Sequence, residues 1–165
     1  MSSYTLSRTR KHHALEHATL HMLARQGAHQ RMAGYSHPGG FIILGDISTE
    51  DVAVAVEAAL ARLRRGETSL ALQPHCGTNL LVSGALAGTV AWLVLLGAGN
   101  DRRVKLERWL MMVPLVGLAA FAAQPLGMML QANLTTDADP GDIAVREIRC
   151  QKLGGLTVHH VLTMG

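Results

Sequence analysis

Five of the chain's nine histidines fall within the first 29 residues: His12, His13, His17, His21 and His29. Among them, His13-Ala14-Leu15-Glu16-His17 sets two imidazoles and a carboxylate at spacings that a helix gathers on one side. His17 lies about 40° round the helix from His13, and Glu16 about 60° the other way, so all three project from one face. Two imidazoles one turn apart can hold a single Zn²⁺. The carboxylate beside them can accept a proton from a zinc-bound water, whose pKa the metal lowers towards about 7. His21 extends the stripe by one turn, while His12 points off it.

A catalytic zinc needs a third protein ligand. Glu57, on a helix expected downstream, is one candidate; His75 and Cys76, adjacent in QPHCGTN at 73–79, are two others. A thiolate is soft and an imidazole borderline, and both suit Zn²⁺. The same residues also admit simpler readings. The stripe can be a polar helix face, with Glu16 paired to a neighbour such as Arg10, and Cys76 can pack as a small hydrophobe. A metal site without catalysis stands between the two readings.

Positioning these groups takes a small α/β domain. A helix is expected from about Ser7 to Gln26, with Ser7 or Thr9 as N-cap and Gly27 just past its end. SHPGG at 36–40 reads as a turn and FIILGDI at 41–47 as a buried strand. Ser48-Thr49-Glu50-Asp51 opens a second helix that runs to Gly66 after a basic last turn. SLALQP at 69–74 reads as a short strand. Beyond the polar linker QANLTTDADPGD, the segments 143–150 and 156–164 read as two strands turned at Gly154-Gly155. His159 and His160 alternate on the second of these, so at most one faces inward. The expected order is a β-α-β element, then a β-hairpin, with the first helix packed on the combined sheet.

The 48% hydrophobic content is concentrated. Residues 68–100 and 109–136 contain no Asp, Glu, Lys or Arg. Leu80–Gly99 and Leu110–Leu130 are each about 20 residues long, and a helix of that length spans about 30 Å, one hydrocarbon core. Pro114 and Pro125 are compatible with a membrane helix. Residues 100–108, NDRRVKLER, form a tight turn on this reading, so the two spans are antiparallel neighbours. Gly84 and Gly88, facing Gly117 and Ala120, offer a close-packing surface, and Trp109 suits an interfacial anchor.

The fold class is therefore an α+β membrane protein: an extramembrane domain of about two helices and about four short strands, interrupted by a two-helix transmembrane hairpin. Its parts are residues 1–77, the hairpin 78–133 and residues 134–165. The loop's Arg102, Arg103, Lys105 and Arg108 argue for a cytoplasmic loop. The other 11 of the 15 basic residues flank the hairpin, and no secretory signal precedes it, so both termini are expected in the cytoplasm. The excess of 15 Lys and Arg over 12 Asp and Glu is too mild to indicate a nucleic-acid partner. Two cysteines far apart give no disulfide framework.

The five-residue pattern H-x-x-E-H resembles the inverted motif of the insulin-degrading and pitrilysin-like zinc peptidases. That resemblance implies His13 and His17 as ligands, Glu16 as general base and a downstream Glu as third ligand, for which Glu57 is the nearest analogue. The large two-lobed architecture of those enzymes is absent. Over its whole length the chain resembles an uncharacterised family of small bacterial two-span membrane proteins. The resemblance rests on HHALEHATLHML at 12–23, GGFIILGDISTE at 39–50, GETSLALQPHCGTNL at 66–80 and PLGMMLQANLTT at 125–136. It implies a bacterial inner-membrane location and no particular activity. Three functions follow as expectations: a zinc-dependent hydrolase of peptidase type, a non-enzymatic membrane subunit that associates with like or unlike chains through its spans, and a metal or redox sensor.

Overall fold

The computed structural model describes residues 3–27 and 32–165. His29 lies outside them. The described chain forms four α-helices and a four-stranded antiparallel sheet, an α+β arrangement. Two compact units can be separated: one combines residues up to 73 with those from 132 onward, and the other is 74–131.

In the first unit, the stretch free of Gly and Pro before Gly27 forms α1, Ser3–Arg25. It begins four residues ahead of the expected Ser7. Helix α2, Thr49–Arg64, is capped by Ser48, whose hydroxyl accepts from the Asp51 N–H at 3.0 Å. Its buried residues Val52, Ala55, Val56, Ala59, Leu60 and Leu63 recur at helical spacing and face the core. The chain leaves α2 at Gly66, whose φ of +83° needs a residue without a Cβ.

Strands β1 (Ala33–His37) and β2 (Gly40–Leu44) pair antiparallel, as do β3 (Ala144–Leu153) and β4 (Leu156–Met164), which turn at Gly154-Gly155. The sheet order is β1-β2-β4-β3, so the central contact joins strands far apart in sequence. Phe41 lies opposite Val161 and Ile43 opposite His159. All four are fully buried and share the core with Leu15, Leu23, Val56, Leu60 and Ile143. His160, one residue on, is only half-buried.

Two expectations for this unit need correction. The segment 69–74 is not a strand: Thr68–Ala71 is a 3-10 helix. Its adjacent residues Leu70 and Ala71 are both buried, whereas a strand would send them to opposite faces. With that strand goes the β-α-β element, and its place in the sheet is taken by β1, whose Ala-Gly-Tyr-Ser-His carries no apolar alternation to announce it.

In the second unit, α3 (Gly77–Leu95) and α4 (Arg102–Leu130) pack on each other, and α4 continues into a π-helical turn, Gln131–Thr135. Both helices are long and apolar enough to cross a membrane. Only 6% of the apolar window of the first and 17% of that of the second is buried, which is unlike a helix in the core of a soluble protein. Residues 100–108 are not wholly a turn, because α4 already begins at Arg102. Asp101 caps it by accepting from the Arg103 N–H at 2.8 Å, and Arg, Lys, Leu and Glu are good helix formers. Arg108 reaches back to the carbonyls of Val94 and Leu96 at the end of α3.

The small residues also act differently from expectation. A Cβ added at Gly84, Gly88 or Gly117 would meet nothing within 4 Å, so none of them mediates the contact of α3 with α4. That close approach is made at Gly127, against the side chain and Cα of Asn79.

Candidate metal centre

Helix α1 carries His13 and His17 one turn apart, and their rings meet edge to face with centroids 4.3 Å apart. Each uses Nδ1 on a backbone carbonyl: His13 on Thr135 at 2.9 Å and His17 on Ala71 at 2.7 Å. A carbonyl can only accept, so Nδ1 carries the hydrogen in both rings. This is the arrangement by which metal-binding imidazoles are ordinarily oriented and made more basic. The carbonyls come from the ends of helical segments. Ala71 closes the 3-10 helix and Thr135 closes the π-helical turn, where carbonyls lack a helical partner.

Cys76 is the N-cap of α3, and its sulfur accepts from the Thr78 N–H at 3.5 Å. The helix dipole at that position favours negative charge. His13 and His17 are two residues of metal-ligand type one turn apart on α1, and Cys76, in the second unit, is a third residue of ligand type. Two borderline nitrogens and a soft sulfur fit Zn²⁺ in chemistry as well as in number.

The other residues singled out from the sequence lie elsewhere. His75 is exposed beside Cys76, and Glu57 is exposed on α2. Glu16 is buried at 4% exposure and accepts a short hydrogen bond from the Ser36 hydroxyl of β1. Its carboxylate occupies the space a Cβ on Gly34 would need, so β1 approaches α1 closely only because that residue is glycine. Arg10 donates to the carbonyls of Asn133 and Thr136, each at 3.2 Å. His21 directs Nε2 to the Leu72 carbonyl at 3.0 Å.

His12 serves the fold. Its Nδ1 donates to the His37 carbonyl at 2.8 Å and its Nε2 accepts from the Thr163 hydroxyl at 2.7 Å, tying α1 to β1 and β4. Burial lowers its pKa below the usual histidine value, outweighing the carbonyl that raises it. Ser36, Gly34, Ala71 and Thr135 had no signal in the sequence. The last two contribute only backbone oxygens, which any residue type supplies.

A family model described as a domain of unknown function (DUF6391) matches residues 8–148. An uncharacterized protein of Picosynechococcus sp. is 34% identical over 161 residues, which cover 85% of this chain and 71% of that protein. No solved structure matches the chain.

Proposed function

The chain belongs to the family described as a domain of unknown function, DUF6391, and from that premise we propose that it is a membrane-anchored zinc hydrolase of peptidase type. On this reading His13 and His17 bind through Nε2 and Cys76 through Sγ. Three protein ligands leave a fourth position for water, the pattern of catalytic rather than structural zinc. The observation that carries the proposal is the pair of Nδ1–carbonyl hydrogen bonds, which orients two imidazoles one turn apart on one helix. When bound, zinc supplies an acidified water and polarises a carbonyl. Glu16 is the candidate base by its place in the H-x-x-E-H pattern alone, since its carboxylate is engaged by Ser36 of β1 and must leave that contact to serve a bound water.

We read α3 and α4 as a transmembrane hairpin in the bacterial inner membrane, with the lipid bilayer as the first partner and both termini in the cytoplasm. Their low burial and lack of acidic or basic residues over most of their length support this. The open faces at Gly84, Gly88 and Gly117 favour a second reading, a non-enzymatic subunit that docks another membrane helix there.

Metal analysis of the full chain purified in detergent separates these readings. About one equivalent of zinc is expected, lost in His13→Ala, His17→Ala and Cys76→Ser. Glu16→Gln is expected to keep the zinc and to lower hydrolysis of a quenched fluorescent peptide library at least about 100-fold. Zinc binding without turnover would indicate a metal sensor, and absence of zinc would overturn the metal reading.

A further inference from the structure

Asn79, in the first turn of α3, and Gln131, which opens the π-helical turn after α4, are buried amides, Asn79 at 7% exposure and Gln131 fully enclosed. Burying such groups is unfavourable unless every hydrogen bond is made, and apolar residues of the same volume would fill the space more cheaply. The bonds are made. Asn79 donates through Nδ2 to the Pro74 carbonyl at 2.8 Å, and its Oδ1 accepts from Gln131 Nε2 at 2.8 Å. Because the Pro74 carbonyl can only accept, the orientation of the amide is determined. The Asn79 N–H bonds the Cys76 carbonyl at 3.0 Å, and the side chain occupies the space that a Cβ at Gly127 would need.

These contacts close the chain from Pro74 to Asn79 into a loop, and Cys76 sits inside it. The Cys76 backbone, at φ −69° and ψ 149°, is held by its flanks, and the sulfur is directed by the Thr78 N–H. We infer that Asn79, braced by Gln131, is a positioning residue for Cys76: it fixes the direction in which the thiolate is offered to a metal. The inference rests on the metal reading above. It adds a second set of groups that aligns the sulfur, as the Ala71 and Thr135 carbonyls align the imidazoles. Outer groups of this kind are worth about 10- to 100-fold in metal affinity.

The test is cobalt titration of the full chain in detergent, because a thiolate bound to Co²⁺ gives a near-ultraviolet charge-transfer band that imidazoles alone do not. Asn79→Asp is close in volume, still accepts from Gln131, and loses the donor to Pro74. It is expected to weaken Co²⁺ binding about 10- to 100-fold and to diminish the thiolate band, while binding by the two histidines persists and the thermal midpoint falls, because the new oxygen faces the Pro74 carbonyl. An Asn79→Asp protein with unchanged band and affinity overturns the inference. If that variant does not fold, Gln131→Met decides. It keeps an apolar volume beside Asn79 and removes only the brace, so a weaker band supports the inference and an unchanged one overturns it. A wild-type chain that binds no cobalt removes the metal reading itself, a result distinct from either.

Discussion

Each histidine offers two ring nitrogens, and this fold commits them differently. His12 has both engaged, His13 and His17 have one each on a carbonyl, and His159 has Nε2 near the Thr49 hydroxyl at 3.3 Å with Nδ1 buried and unpartnered. His159 therefore makes a pH prediction. Desolvation lowers its pKa below the unfolded value of 6.5, so the folded state keeps it neutral where the unfolded chain is protonated. Its contribution is complete above about pH 6.5, is lost as the pH falls below that, and levels off beneath the folded value. Thermal unfolding between about pH 7.5 and pH 5 should show a falling midpoint, and His159→Leu should flatten part of that slope. His12 moves in the same direction, so the flattening is partial; an unaltered slope would refute the assignment. The sequence made the face of α1 legible through the 13/16/17 spacing. Which nitrogen of each ring is committed to a carbonyl was not legible, because carbonyls 71 and 135 decide it.

At the scale of elements, the capping interaction at Ser48 was readable and gives a direct measurement. Its hydroxyl satisfies the Asp51 N–H, and Ser48→Ala should lower stability by about 1 kcal/mol, seen as a reduced unfolding midpoint with the fold unchanged. A change within error would mean that the exposed first turn is satisfied by solvent. Helix α2 and strands β3 and β4 were legible because local pattern and tertiary demand agree there: regular apolar spacing, a capping serine and a glycine turn. Strand β1 and the 3-10 helix were not. The first is a polar strand fixed by its pairing with β2 and by the fit of Gly34 against Glu16, and the second is an apolar run bent so that two neighbours face one way. The start of α4 at Arg102 was hidden because charge suggested a loop where propensity and Asp101 favour a helix.

For the whole molecule, two weakly buried apolar helices stand in the middle of a chain whose ends form one sheet. Membranes carrying the protein should retain it through alkaline carbonate extraction; release into the supernatant would show that α3 and α4 are not inserted. The membership of an uncharacterised family and the two apolar helices matched the expectations from the sequence. Sheet order did not, because pairing between β2 and β4 joins segments more than 100 residues apart, and nothing local encodes it. That pairing also has a consequence for biogenesis. Strand β2 is synthesised early, yet its partner emerges only after both apolar helices have been made, so one strand edge of the nascent domain stays exposed throughout translation of the helices. Folding of the domain is thereby timed to follow the helices, and a chain stalled before residue 156 would carry an open, aggregation-prone edge that a cell's chaperones and proteases could recognise.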